Sequence, residues 1–417
     1  MERIGIVGAG IAGLHLGLIL LKHGVRVVIY TDQTAEQQRA GRLLSVPTYF
    51  AHTRERERAL GISHWDEEDF GTFCLHGRLP GETPLTFRGD LSSPALCIDP
   101  RVTLPRLLED FEDRGGRVVT RAMSPEEVVR ISSEHDLIVV CSGRGGLASM
   151  FPRIEERSPF RAPQRLICSG MFRGVSYPDP LGLSLTITEH GEVFYGPIRA
   201  RQGHLTNIAF EALPGGAFEV LARTPYAEDP ARFEATLLDV LSVHAPTIRE
   251  RVSTAEFGVS GPLDLVQGAV TPVVRESYRK LDGGVMALAI GDAHIVNDPI
   301  TGQGANLASR EAWLLGHAII EGGPFDEAFC QKIAAEIWAF AQPVVEWTNL
   351  MLGPPAPQVL QVLGAATQSK AVADVFADNF NDPSRQWEIL SSMEHTQSFL
   401  QGLSHAGANG SHAPERS

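Results

Sequence analysis

The chain opens on a short apolar run, residues 3–7, and the stretch after it carries Leu14, Leu16, Leu18, Leu20 and Leu21. The pattern predicts a buried strand followed by a helix over 11–23, with Gly17 set inside it to allow close packing. Gly24 is a natural stop for that helix, and Val25–Tyr30 is a second apolar run. Strand, helix and strand in this order make a βαβ unit, which implies a parallel sheet covered by helices. Residues 101–115 predict a further helix with a glycine stop. Val118–Thr120 and Asp136–Ser142 predict strands, the second with the continuous run Leu137–Val140 of a buried parallel strand. The character then changes over 164–211. Short runs at Leu183–Thr188, Val193–Tyr195 and Asn207–Ala212, separated by Gly, Pro and His, predict an antiparallel β-rich layer. Residues 228–250 read as helical and Val285–Ile290 as a strand. From about 306 the pattern is helical nearly to the end, with breaks expected at Pro343 and at Gly353-Pro354-Pro355. The polar, small-residue stretch 405–417 is expected to be disordered.

Composition narrows the function classes. The 417 residues include 36 Lys+Arg against 50 Asp+Glu, a net charge of −14. That balance argues against nucleic acid or an anionic membrane as partner, since both reward clustered basic residues. No apolar run approaches the ~20 residues of a membrane helix, and no secretory leader precedes the first strand. The five cysteines, Cys74, Cys97, Cys141, Cys168 and Cys330, show no C-x-x-C spacing. They imply a reduced, cytoplasmic setting without a disulfide framework, and neither they nor the 14 His give a metal-ligand spacing.

The 41 glycines are the informative count, because of where they cluster. Gly8-Ala9-Gly10-Ile11-Ala12-Gly13 is a G-x-G-x-x-G lying between a predicted strand and a predicted helix, the context that marks a dinucleotide site. Gly8 permits the tight turn, Gly10 the approach of a pyrophosphate, and Gly13 close helix–strand packing, while Ile11, Ala12 and Gly13 offer helix-terminal N–H groups. Asp32, 19 residues after Gly13, is the candidate for the ribose hydroxyls, one or two places past the usual spot. A second cluster lies far downstream, with Gly291-Asp292 after a strand and then Pro299-Ile300-Thr301-Gly302-Gln303-Gly304-Ala305-Asn306 leading into a helix. Asp292 suits ribityl or ribose hydroxyls, and the Pro299–Asn306 turn offers N–H groups to a flavin ring edge.

Together with Arg3–Gly17, Arg42-Leu43-Leu44, Asp298–Ala308, Trp347-Thr348-Asn349 and Asp378-Asn379-Phe380-Asn381, these residues resemble the oxygenase component of the styrene/indole monooxygenases. The likeness runs from residue 3 to about 390. It implies an α/β chain with a glutathione-reductase-like Rossmann FAD-binding domain (1–160 and 276–325), a β-rich substrate domain (161–275, with 45–100 contributing) and C-terminal helices (326–404). It also implies FAD delivered already reduced by a separate NADH-dependent flavin reductase, reacting with O₂ to give a C4a-(hydro)peroxide that epoxidises an aromatic alkene. Cys141-Ser142-Gly143-Arg144-Gly145 agrees with this, since the Asp-Gly associated with NAD(P)H use in single-component aromatic hydroxylases is not found there.

By the same resemblance, Arg42, Leu44 and Ser45 position flavin and substrate on one side of the ring, with Pro299–Gly302 opposite. Arg42 meets either a flavin phosphate or the ring. Ser45 and Ala95 match indole-type members, whereas Pro47, Tyr49, Thr72 and Leu75 match neither type. Pro47, Tyr49, Phe73, Leu75, Ala95, Phe210 and Ile300 are the candidate walls of a small aromatic pocket, an ordinary core role being open to each. The alternatives are an aromatic hydroxylase acting on a phenolic or polycyclic metabolite and a non-catalytic dinucleotide-binding sensor. The helical C-terminal third is compatible with a homodimer.

Overall fold

The opening apolar run forms the strand Arg3–Val7, which pairs in parallel with Arg26–Thr31 on one side and Leu137–Val140 on the other. The computed structural model describes residues 3–81, 84–143 and 145–410. The full sheet runs Tyr278–Lys280, Met286–Ala289, Leu137–Val140, Arg3–Val7, Arg26–Thr31, Arg117–Thr120, and all neighbours are parallel except the first pair. Its strands are apolar on both faces because helices cover both, the arrangement a parallel sheet requires. The helix Ile11–Lys22 lies on one face between Gly304–Glu321 and Pro100–Asp113. A Cβ built on Gly17 would stand 2.8 Å from the Phe111 ring, so glycine is what lets that helix close on its neighbour.

The second sheet has nine strands. Leu183–Thr188, Gly191–Ala200, Gly203–Ala212 and Leu166–Arg173 form its antiparallel centre; the first has the bounds of the expected run, while the next two extend beyond Val193–Tyr195 and Asn207–Ala212. The long hairpin Thr72–Leu79 with Leu85–Cys97, which the sequence pattern does not show, extends this sheet. One face carries Cys168, Phe172, Val193, Tyr195, Ile208 and Phe210 and packs on the helices between 219 and 249. The other carries Leu185 and Phe194, which pack with Leu75, Phe87 and the C-terminal helices.

Those helices begin with Glu327–Leu352. Pro343 lies inside it and does not break it, because Ile337, Ala341, Val344 and Val345 are buried on either side and packing overrides local propensity. The helix closes at Gly353 instead. The last helix, Met393–Gly410, carries regular structure past residue 405, where a disordered tail is expected; residues 411–417 lie outside the described residues. No helix among the described residues is long and apolar enough to cross a membrane.

Candidate active site

The two glycine clusters meet. Gly8 has φ +116°, and a Cβ there would stand 2.6 Å from the Cys141 backbone, so the turn after the first strand is pressed against the end of its neighbour. A Cβ on Gly13 would stand 2.0 Å from the Gly8 carbonyl oxygen. Gly10 differs from both, since a Cβ there would meet nothing within 4 Å. It faces open space at the N-terminus of Ile11–Lys22, a helix end with no side-chain cap. Gly304 repeats the arrangement at the start of Gly304–Glu321, again uncapped and with open space above it. Gly291 (φ +63°) brings its turn to within 3.0 Å of the Ala12 methyl, measured from an ideal Cβ. Two uncapped helix N-termini, each floored by glycine and joined at Gly291, form a cradle for a pyrophosphate and the groups on either side of it.

This geometry fits the FAD expected from the sequence. The N–H groups of Ile11, Ala12 and Gly13 and of Gly304, Ala305 and Asn306 lie in the first turns of these uncapped helices, where they would be offered to it. Asp32 lies exposed just beyond the strand Arg26–Thr31, on the edge where a ribose would lie. Asp292 sits in the short turn Gly291–Ala293, and its carbonyl oxygen accepts from Arg275 at 3.5 Å. The turn is held by Glu311, which accepts the Gly291 N–H and binds His294 Nδ1 at 2.7 Å.

The loop 42–46 is anchored by one residue and open at the others. Leu43 is fully buried with Cys97, Met171 and Ile198, and its N–H donates to the Leu263 carbonyl at 2.9 Å. Arg42, Leu44 and Ser45 are exposed, Leu44 to 66%, an apolar side chain held out from the surface. Beneath the loop, the buried Arg101 guanidinium pairs with Asp99 (2.8 Å) and Asp264 (2.6 Å) and donates to the carbonyls of Gly41 and Leu263. Burial by itself would raise the Asp264 pKa, but bonds from Ser260 and Arg101 hold it below the usual carboxylate range. The sequence reading missed this support. Its signal is an Asp-x-Arg at a helix start, which is local, and an Asp 163 residues away, which is not.

The turn Pro299–Thr301 is capped by Asp298, which accepts from the Ile300 N–H at 3.1 Å, and it ends on Gly302 at φ +65°. Thr301 Oγ1 meets Thr348 Oγ1 at 2.8 Å, tying the turn to the family-like Trp347-Thr348-Asn349. Two residues expected to touch the cofactor have side chains committed elsewhere. Asn306 accepts from the Phe50 N–H (2.9 Å) and the Thr53 hydroxyl (2.7 Å) and donates to the carbonyls of Thr48 (2.8 Å) and Gly302 (3.1 Å). Gln303 is 2% exposed and donates to the Phe380 carbonyl. Both side chains are therefore engaged within the protein, and Asn306 splices the segment 48–53 to the turn that ends at Gly302.

The expected pocket residues do not form one wall. Phe210 lies on the helix-covered face of the nine-stranded sheet, its ring 5.3 Å from that of Phe218, and is corrected to core. Strand alternation is the reason: Ala209 and Glu211 take the opposite face. Tyr49 is 1% exposed and packs with Trp65, Phe70, Leu96 and Ile98. Leu75 packs with Leu185 and Trp347, while Ala95 and Ile300 are buried and Phe73 and Pro47 half-buried. The turn's own aromatic neighbours are not among those pocket candidates. Phe50 lies within 3.6 Å of a Cβ built on Gly302, and Phe380 joins Phe50 (5.9 Å) to Trp347 (5.0 Å).

A parallel α/β sheet bearing this cradle, with a nine-stranded sheet beside it, is a dinucleotide-binding architecture with a second, β-rich layer. Solved structures agree on the fold. A flavoprotein/dehydrogenase from Cytophaga hutchinsonii superposes with a TM-score of 0.66 at 15% identity, over 96% of this chain and 99% of that one. PqsL of Pseudomonas aeruginosa, a probable FAD-dependent monooxygenase, gives 0.61 at 18% identity over 89% and 99%. Residues 143–251 match the family model described as "Styrene monooxygenase A putative substrate binding domain". Styrene monooxygenase StyA of Pseudomonas fluorescens is 37% identical over 398 residues, 94% of this chain and 96% of its own length, and its counterpart from a Pseudomonas species is 38% identical over the same span. The chain belongs to the styrene monooxygenase family, and FAD is its cofactor.

Proposed function

We propose that the chain is the oxygenase half of a two-component system: it receives FAD already reduced by a separate NADH-dependent flavin reductase and, with O₂, epoxidises an aromatic alkene, indole at its 2,3-bond ahead of styrene. The observation that carries this reading is the segment pressed against the cradle. One G-x-G-x-x-G follows a strand, at 8–13, and the segment pressed against it reads Cys141-Ser142-Gly143, with no Asp. The Asp-Gly that accompanies nicotinamide use in single-component hydroxylases is thus replaced at this strand end, which favours reduction of the flavin by a partner.

Bound reduced FAD supplies oxygen activation and an electrophilic oxygen for the C=C bond. The protein's part is placement. The helix N-termini at Ile11 and Gly304 hold the pyrophosphate, Asp32 and Asp292 the hydroxyls, and Arg42 a flavin phosphate or the ring. Leu44 and Ser45 on one side and Pro299–Gly302 on the other enclose the ring and keep water from it. Phe73, half-buried, and Ile300, in the turn itself, are the apolar candidates to meet the alkene.

Substrate choice rests on Ser45 and Ala95. Competition between indole and styrene under single-turnover conditions is expected to favour indole. In the double variant Ser45→Asn/Ala95→Ser, the kcat/KM ratio is expected to move toward styrene by about tenfold, the size of one pocket contact at ~1.4 kcal/mol. Preference for styrene in the parent, or no movement of the ratio, overturns the indole assignment.

A further inference from the structure

Four charged side chains meet inside the protein between the nine-stranded sheet and the turn that begins at Asp298. Glu192 and Glu211 stand directly opposite one another on adjacent antiparallel strands, pointing from the same face. Like charges in that position repel. Arg165 answers only one of them. Its guanidinium forks onto Glu192 at 2.8 and 3.0 Å and spends a further donor on the Leu352 carbonyl at 3.3 Å. Glu211, 3% exposed, keeps a buried Oε2 that receives no donor. Asp298 is fully buried; its Oδ1 caps Ile300, and its Oδ2 also receives no donor.

Three carboxyl groups around one guanidinium would leave two uncompensated negative charges in a place closed to solvent. A buried charge of that kind takes up a proton instead. Ile167, which pairs across the strands with Glu211, packs with Val296, two residues before Asp298, so the two oxygens without donors lie at one buried seam, where a single proton supplies both the missing donor and a missing positive charge.

We infer that Glu211 and Asp298 share one proton across the seam between the sheet and the 298–302 turn, and that this proton makes them a pair of positioning residues for the turn. Burial, then the nearby Asp298 and Glu192 charges, hold Glu211 well above the ordinary carboxyl range. Burial likewise raises Asp298 to about 7, against the Ile300 N–H and Arg165, which favour its ionised form. The groups bearing on the pair are thus Arg165, Glu192 and each other. Deprotonation restores repulsion between the sheet and the turn. The link to flavin rests on the reading above, in which Pro299–Gly302 flanks the ring; the shared proton itself does not.

The flavin-free protein tests it first. Infrared spectra near pH 6 are expected to show the C=O stretch of a buried protonated carboxyl, lost in Glu211→Gln. The folded state then holds a proton the unfolded chain has released, so stability falls as pH rises from about 4 toward 7. Glu211→Gln, whose amide donates permanently to an ionised Asp298, is expected to flatten that slope. In the second arm, oxidised FAD is titrated by flavin fluorescence. Glu211→Ala is expected to weaken binding several-fold, while Glu211→Gln stays within about twofold of the parent. An absent carboxyl band, or an unchanged pH slope in Glu211→Gln, overturns the shared proton. A band and slope as expected, with FAD affinity indifferent to Glu211→Ala, leaves the proton in place and removes its role at the flavin.

Discussion

Gly10→Val is expected to lose FAD binding and keep its fold. Gly10 has an extended backbone, φ −86° and ψ −174°, that any residue adopts, and a Cβ there meets no protein atom within 4 Å. The stability change is therefore expected within about 1 kcal/mol, as for other substitutions that create no clash. The space the side chain would take is the space over the helix N-terminus, where the pyrophosphate must approach the backbone. Affinity is expected to fall at least about a hundredfold, roughly 2.7 kcal/mol. Gly13→Ala is the opposite case. Its Cβ would stand 2.0 Å from the Gly8 carbonyl oxygen, a backbone atom that cannot move aside without parting helix from strand. Denaturant unfolding and flavin titration on the two variants should separate them: affinity lost with the fold intact in one, the fold itself compromised in the other. Equal FAD affinity in Gly10→Val and the parent would contradict the cradle.

Asn306→Leu is expected to be among the most destabilising single changes near the site. The residue is 8% exposed and makes four hydrogen bonds, two accepted and two donated, to Phe50, Thr53, Thr48 and Gly302. A leucine of similar size leaves all four groups without their partner, and each buried unpaired group costs on the order of 1–3 kcal/mol. Partial rehydration reduces the sum, so a loss of about 3–5 kcal/mol is expected by urea unfolding. Asn306→Asp should recover part of it, because a carboxylate still accepts from the Phe50 N–H and the Thr53 hydroxyl but donates nothing. A loss under about 1 kcal/mol for Asn306→Leu would show that the segment 48–53 and the ring-side turn are not held through this amide.

The parts of this molecule that were legible in the sequence are those whose signal is local. Gly8, Gly10 and Gly13 sit within one turn, and Leu137–Val140 is a continuous run, so strand, turn and helix could be read from neighbouring residues. Leu183–Thr188 was legible because its alternation has the period of the pleat. Phe210 was misplaced because the face a strand residue takes depends on what covers each side, and helices from 219 onward cover that one. The glycine-rich motif points Asn306 and Gln303 to the cofactor, whereas their side chains answer to Thr48 and Phe380. The hairpin 72–97 carries Gly77, Gly89 and several polar residues, which mask its alternation. The closing of Asp264 onto Asp99–Arg101, and the burial of Glu211 and Asp298 without donors, have no local signal. Each depends on two distant carboxyls being brought to one buried place, and a carboxyl far along the chain reads as solvated until the fold removes the water.

We propose that this chain oxygenates with flavin reduced elsewhere. It is tested most directly by mixing the purified protein with anaerobically photoreduced FAD and styrene or indole, then admitting O₂ with no NADH and no reductase present. The account predicts epoxide, or its indole-derived product, limited by the reduced FAD supplied. Oxygenation that depends on adding NADH to the protein alone, with the chain reducing its own FAD, would contradict it.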